Sequence, residues 1–141
     1  MYERAVAEPL LNIYVKSYVP CRVITIGTLF RVAIRDEICE AFDALPVEKR
    51  AGLRATMETF AGLPRGQTLP KQLYETEGRV RVKGKDIALF AFKDSHYRIY
   101  GGFGTVDGVA TWLGVILAEK KRQRAKRRVL EAAAQLLREY V

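Results

Sequence analysis

Three apolar segments follow one another closely between residues 87 and 118, and this spacing limits the folds that the chain can adopt. Residues 87–92, 97–103 and 109–118 are rich in β-branched and aromatic side chains, which are typical of strands. The connections between them contain Asp94-Ser95 and Asp107-Gly108, both of which favour tight turns. Strands joined by such short connections pair antiparallel, so this region predicts a β-meander.

An alternation of cations with valines at residues 79–83 predicts a further strand before the meander. Arg79, Arg81 and Lys83 would then lie on one face of that strand, because successive side chains point to opposite sides. The preceding residues 63–78 contain prolines and glycines, and we interpret them as a loop. The meander therefore has three or four strands.

The chain upstream of this loop predicts one strand and two helices. Residues 22–34 are rich in β-branched side chains and indicate a strand, with Gly27 at a bulge or bend. Asp36 is a candidate N-cap for a helix that Pro46 ends, and a second helix begins near Val47 and ends at Gly62. The short connection between these two helices predicts a helical hairpin.

The C-terminal residues predict a third helix. Val129, Ala133, Leu136 or Leu137, and Tyr140 recur at helical spacing and continue a basic segment into an amphipathic helix. The order of elements predicts an α+β fold, with the helices on one face of a curved sheet and the other face free. We divide the chain into an N-terminal extension, residues 1–21, and a single domain, residues 22–141.

Length and composition restrict the class of protein. The 141 residues are enough for one domain, and 49% hydrophobic with 28% charged residues is typical of globular proteins. No apolar run reaches the length of a membrane span, and the N-terminus does not resemble a signal peptide, which predicts a cytoplasmic protein without membrane contacts. Cys21 and Cys39, with a single histidine, argue against a disulfide framework or a zinc site, and we expect no cofactor.

The positive charge is concentrated in one segment. Lys and Arg together number 24 against 16 Asp and Glu, a net charge of +8, and seven of these eight units lie in residues 120–128. The segment contains no anion, and its cations are Lys120, Lys121, Arg122, Arg124, Lys126, Arg127 and Arg128. Such a cluster favours a polyanion such as RNA. A solvated helix face or an acidic protein partner are the alternatives.

Arg98 is the strongest candidate for chemistry, because it lies in the middle of a predicted strand between two tyrosines. In a meander this strand pairs with both neighbours, so Arg98 is expected on a surface between the cations of residues 79–85 and Lys120 and Lys121. Cleavage of RNA by its own 2′-hydroxyl needs the negative charge of the phosphorane to be neutralised, and Arg or Lys can do this without a metal. His96 and Tyr100 are candidates for proton transfer. The alternatives are an ion-pairing Arg98, a His96 exposed in its turn, and cations that only protect an edge strand.

Residues 97–101, 109–115 and 119–121, followed by the alanine-rich helix to Tyr140, resemble the C-terminal half of RelE/HigB-type toxins of the RelE/ParE toxin–antitoxin superfamily. The upstream strand, the helical hairpin joined at Leu45-Pro46 and the loop before the meander are similar in order. The resemblance covers residues 22–141.

The resemblance implies a metal-independent endoribonuclease that cleaves mRNA, usually on the ribosome, and is neutralised by a cognate antitoxin. It implies catalytic roles for Arg98, for Lys121 and, by their position around the second strand of the family, for Arg81 and Lys83. The remaining cations would bind RNA: Arg79, Lys85, Lys120, Arg124, Arg127 and Arg128.

Two other functions are compatible with the same residues. No Tyr or His closely follows Lys121, where the family has a residue that transfers a proton. The chain would then be a ParE-like toxin that inhibits its target by binding, or a catalytically inactive module of a phage or mobile element that binds RNA or protein.

Overall fold

The computed structural model describes residues 21–120 and 127–141, and it has the predicted α+β class. In chain order the elements are β1 (Cys21–Ile26), β2 (Arg31–Arg35), α1 (Asp36–Asp43), α2 (Val47–Ala61), β3 (Tyr74–Val82), β4 (Lys85–Lys93), β5 (Tyr97–Val106), β6 (Val109–Glu119), α3 (Arg127–Leu137) and a 3₁₀ turn, Arg138–Tyr140. Within these two ranges no helix has the length and apolarity needed to cross a membrane.

The six strands form one mixed sheet in the order β1-β2-β6-β5-β4-β3. Strands β3 to β6 form an antiparallel meander, and β1 and β2 form a separate hairpin. The hairpin joins the meander through a parallel pairing of residues 31–34 with residues 111–114. Because of this pairing, β6 lies in the middle of the sheet and β3 at its edge.

The sheet is covered on both faces, which corrects the prediction of a free face. Helices α1 and α2 pack on one face, where Phe42, Met57 and Trp112 are buried. Helix α3 packs on the other face, where Leu130 and Leu137 contact a second buried cluster. The sequence pattern of α3 shows an apolar stripe but not the side of the sheet on which that stripe packs, so the expected placement was wrong.

The N-terminal strand prediction was also wrong in detail, because residues 22–34 contain two strands. The chain turns after Gly27, whose N–H donates to the carbonyl of Phe30 at 2.9 Å. A Cβ at Gly27 would lie only 2.0 Å from the carbonyl oxygen of Ala61 in α2, so this glycine permits a close approach between turn and helix. Thr28 and Leu29 are not turn formers, and the turn is therefore not evident from composition.

The loop prediction for residues 63–78 was wrong for the last five residues, because β3 already begins at Tyr74. Asp107-Gly108 forms the predicted tight turn between β5 and β6, with φ of 51° and 78°. Lys83 and Gly84 form the equivalent turn between β3 and β4, with φ of 48° and 84°. Both pairs have the left-handed conformation of a type I′ turn.

Candidate functional site

Arg98 is buried in the sheet on the α3 face and is only 3% exposed. Its neighbour Ile99 packs in the cluster beneath α1 and α2, and the alternation along β5 directs Arg98 and Tyr100 to the opposite side. The sequence suggested that Arg98 lies on the protein surface, and the structure corrects this. In strand register Arg98 lies between Lys93 of β4 and Ala118 of β6.

Glu77 is the counter-charge of Arg98. It lies where β3 bulges between Thr76 and Gly78, and Gly78 has a φ of 139° that few other residues adopt. Its carboxyl Oε2 is 3.6 Å from Nη1 of Arg98, and both side chains are more than nine-tenths buried. The same Oε2 is buried and receives no hydrogen bond within the described part of the chain. Burial raises the pKa of Glu77, and the charge of Arg98 lowers it by less.

Tyr100 is 5% exposed and is hydrogen-bonded to Arg98. Burial raises the pKa of its hydroxyl above the ordinary value near 10, so the phenol is neutral at pH 7. Arg98, Glu77 and Tyr100 therefore form a buried cluster with a fixed cation, a carboxyl group and a neutral hydroxyl.

A cleft of about 650 Å³ opens beside this buried cluster. Lys71, Lys93 and Lys120 line it together with Ser95, Asp94 and Glu75. Lys93 is the register partner of Arg98, so the cleft adjoins Arg98 through Lys93, whereas Arg98 itself does not line it. Lys93 pairs with Glu75, whereas Lys71 and Lys120 have no ion-pair partner in residues 21–120 and 127–141. The cleft therefore suits an anionic group.

His96 lies in the β4–β5 turn and is exposed. Asp94 holds this turn, because its Oδ1 accepts hydrogen bonds from the N–H groups of His96 and Tyr97, both at 2.7 Å. The imidazole Nδ1 lies 2.9 Å from Oγ of Ser95. The backbone carbonyl of His96 accepts a hydrogen bond from the N–H of Lys120 at 2.7 Å. His96 thus lies at the rim of the cleft. It is exposed in its turn, which is one of the two alternatives that the sequence left open.

The structure does not place the predicted catalytic cations on one surface. Arg81 is exposed and lies on the face of the sheet that α1 and α2 cover, because its neighbours Val80 and Val82 are buried beneath α3. Arg98 lies on the opposite face. Lys83 is exposed in the β3–β4 turn. The common surface expected for Arg81, Lys83 and Arg98 is therefore absent from the described fold.

The predicted RNA-binding cations also separate. Arg79 is exposed and pairs with Asp86 at 3.0 Å. Lys85 donates to the backbone carbonyls of Arg138 and Val141, which ties it to the C-terminus. Arg127 pairs with Glu131 in α3, and Arg128 is exposed. Lys121 and Arg124 lie outside the described residues.

Among the described residues, the cysteines and carboxylates form neither a nucleophilic site nor a metal site. Burial raises the pKa of the Cys21 and Cys39 thiols, so both are neutral at pH 7 and poor nucleophiles. Nowhere in residues 21–120 or 127–141 do three or more His, Cys, Asp or Glu side chains converge as a metal site would require.

Comparisons with protein-family models, with curated proteins and with solved structures find no match to this chain.

Sequence reasoning missed Glu77 and Lys93. Glu77 lies in residues that read as a loop, and the bulge that directs it at Arg98 depends on pairing with β4. The dipeptide Glu77-Gly78 precedes the cationic strand and could have indicated the bulge, since a glycine within a strand often marks one. Lys93 ends an apolar strand, and only the register shows that it faces Arg98.

Glu77 and Glu75 should change protein stability with pH in opposite directions. The pKa of Glu77 is raised in the folded state, so its contribution is present below about pH 4.3, the ordinary pKa of Glu, and is lost as pH rises through the folded pKa. Lys93 lowers the pKa of Glu75, so its contribution is lost as pH falls. Urea unfolding between pH 3 and 8 should show that Glu77→Gln removes the first trend and Glu75→Gln the second. Equal pH profiles of the two variants would contradict the assignment.

Proposed function

We propose that the protein is a RelE/HigB-like toxin of a type II toxin–antitoxin module, which cleaves mRNA as a metal-independent and ribosome-dependent endoribonuclease. Its partners would be a cognate antitoxin, mRNA and the ribosome, in the cytoplasm. The observation that carries the proposal is the buried pair of Arg98 and Glu77 next to Lys93, which lines the cleft with two further lysines.

The chemistry assigns one task to each group. The cleft lysines bind the phosphates that flank the scissile bond, because ammonium groups attract the RNA backbone without reading its sequence. Glu77 accepts the proton of the 2′-hydroxyl, since its raised pKa brings it closer to the operating pH. The 2′-oxygen bonds to phosphorus, and the bond to the 5′-oxygen breaks. This leaves a 2′,3′-cyclic phosphate.

Arg98 neutralises the charge that develops on the phosphorane, which is a transition-state interaction. Tyr100 donates a proton to the departing 5′-oxygen. Its hydroxyl carries that proton at pH 7 because its pKa is raised by burial. Glu77 then returns its proton to Tyr100 through solvent. Because Arg98 is 3% exposed, substrate reaches it only by opening the contact between Arg98 and Glu77.

The burial of Arg98 favours a second candidate function. A guanidinium that is paired with Glu77 and bonded to Tyr100 can serve the fold alone. In that case the cationic surfaces would bind a target without cleaving it, as in a ParE-like inhibitor or an inactive RNA- or protein-binding module.

Induced expression should arrest growth, and mapping of transcript 5′ ends should show cuts in phase with codons inside reading frames. A neighbouring antitoxin gene, when co-expressed, should restore growth, since it would cover the cationic surface. Growth arrest with intact transcripts would support the binding function instead. Normal growth with good expression of the free chain would contradict both toxin functions.

A further inference from the structure

We propose that the α1/α2 face of the sheet carries a second binding site, a stacking platform for the bases of single-stranded nucleic acid. The platform consists of Phe30, Phe90 and Phe103, together with Arg79 and Arg81 at the sheet edge. It lies on the face opposite to Arg98. The choice of ligand rests on the proposed RNA-directed function, whereas the site itself follows from the aromatic geometry.

Phe103 is the centre of the platform and is unusually accessible for a phenylalanine, with 41% of its surface exposed. Phe30 and Phe90 flank it and are partly buried. The ring centroid of Phe103 is 5.1 Å from that of Phe30 and 5.8 Å from that of Phe90, and both contacts are edge-to-face. Phe103 thus presents one accessible ring on which a base can stack, and the edge-to-face contacts with Phe30 and Phe90 fix the orientation of that ring.

A second row of aromatic rings holds the platform in place from below. Phe60 of α2 lies 5.5 Å from Phe30 and 6.2 Å from Phe103. Tyr74 stacks on Phe90 at 5.7 Å, and its hydroxyl accepts a hydrogen bond from Nε1 of the buried Trp112. Binding a base would therefore require little ordering of the side chains, which favours affinity.

The neighbouring charges indicate which partner this apolar surface suits. Arg79 and Arg81 project from the edge strand β3 on the same face as Phe90, since Ala88 and Asp86 are their register partners in β4. Asp86 pairs with Arg79, and both groups are about half exposed or more, so the pair is weak and a phosphate can compete with it. Arg81 has no ion pair among the residues that the structure describes.

Proteins that bind single strands without sequence preference use two features, aromatic rings and neighbouring cations. Bases stack on the rings, and phosphates contact the cations. An acidic peptide would satisfy the arginines but would not need the exposed ring of Phe103. The net charge of +8 also favours a polyanion over a typical protein partner.

The test is a fluorescence titration of the Phe103→Trp variant with a single-stranded 12-mer of 2′-deoxyuridine. The 2′-deoxy strand lacks the nucleophile for cleavage, so binding is measured whether or not the protein is a nuclease. The native Trp112 is fully buried and gives a constant background. Base stacking should quench the emission of the introduced tryptophan, with saturation, and the affinity should fall with salt. Val47→Trp is the matched control, because Val47 is 72% exposed at the start of α2 and is not part of the platform.

Binding of the same 12-mer should weaken about 5- to 150-fold in Phe103→Ala and in Phe103→Leu, which corresponds to about 1–3 kcal/mol for one stacked base. Phe103→Tyr should keep near-native affinity. Val109→Ala is the control for loss of exposed apolar area, since Val109 is 42% exposed at the start of β6. Arg81→Gln should lower the log–log salt slope by about 0.7.

Two results would overturn the platform. One is equal quenching of the tryptophans introduced in Phe103→Trp and in Val47→Trp, and the other is unchanged affinity in Phe103→Ala. If the surface around Phe103 instead binds a second copy of the chain or another protein, Phe103→Ala should change the sedimentation coefficient and should not weaken binding of the 12-mer. If the 12-mer binds through Phe103 but transcripts stay intact in cells, the platform stands and the nuclease function fails.

Discussion

Replacing Arg98 with Ala is expected to slow RNA cleavage by about 10²–10³-fold, by analogy with the loss of one preorganised donor to a transition-state oxyanion. Binding of RNA should weaken much less, because Lys71, Lys93 and Lys120, which line the cleft, would remain to bind the backbone. Arg98→Lys should recover only part of the rate, since an ammonium group lacks the planar fork that contacts two phosphate oxygens. Single-turnover cleavage at saturating ribosomes measures the effect.

The folded fraction of each variant must be measured beside the rate, because Arg98 is buried. Tyr100→Phe is a useful companion, since it removes the hydroxyl bonded to Arg98 and leaves the cation in place. A normal rate per folded molecule in Arg98→Ala would exclude Arg98 from catalysis. The pair of Arg98 and Glu77 would then be structural, and the binding function would be favoured.

Separate replacement of Arg98 by Met and of Glu77 by Leu is expected to cost about 3–5 kcal/mol each in the free energy of unfolding. Each change leaves one charge buried without its counter-charge, because the two groups are 3.6 Å apart and nearly inaccessible. The double variant should recover most of the loss, since two apolar side chains can fill the space without a desolvation penalty. Urea unfolding of the four proteins gives the coupling energy directly.

The exposed pair of Arg22 and Asp43 is the matched control for this cycle. It has two short contacts of 2.6 and 2.8 Å, yet its side chains are 39% and 51% exposed. Arg22→Met and Asp43→Leu should each change stability by no more than about 1 kcal/mol. Additive losses at Arg98 and Glu77, without recovery in the double variant, would show that the two charges do not stabilise each other.

Those elements of the fold whose conformation depends only on their own residues could be predicted from the sequence. Asp107-Gly108 specifies a turn whatever surrounds it, and the Pro46 boundary separates two helices. The side on which α3 packs could not be predicted, because its stripe of Leu130, Ala133 and Leu137 would suit either face of the sheet. The parallel pairing of β2 with β6 was equally hidden, since neither apolar strand carries a local signal of its partner.

The candidate site was predicted only in part, for a similar reason. Arg98 was evident because a cation in an apolar strand is unusual. Its partner Glu77 depends on a bulge, and its neighbour Lys93 depends on register, so both are properties of strand pairing. The platform at Phe103 was hidden among core aromatics, since sequence alone does not show which phenylalanine the helices leave exposed.

The parallel pairing of β2 with β6 has a consequence for how the protein is made. Its Arg31 and Thr111 are 80 residues apart, and their side chains hydrogen-bond at 3.0 Å. In a nascent chain that ends before Val109, the β1–β2 hairpin is therefore unpaired at both edges, and the edge of β2 that β6 later covers is open to chaperones or to aggregation. Strand β6 joins the two halves of the sheet in one step, after the other five described strands have been synthesised. Premature termination before Val109 should thus yield proteolysed fragments rather than a smaller active protein.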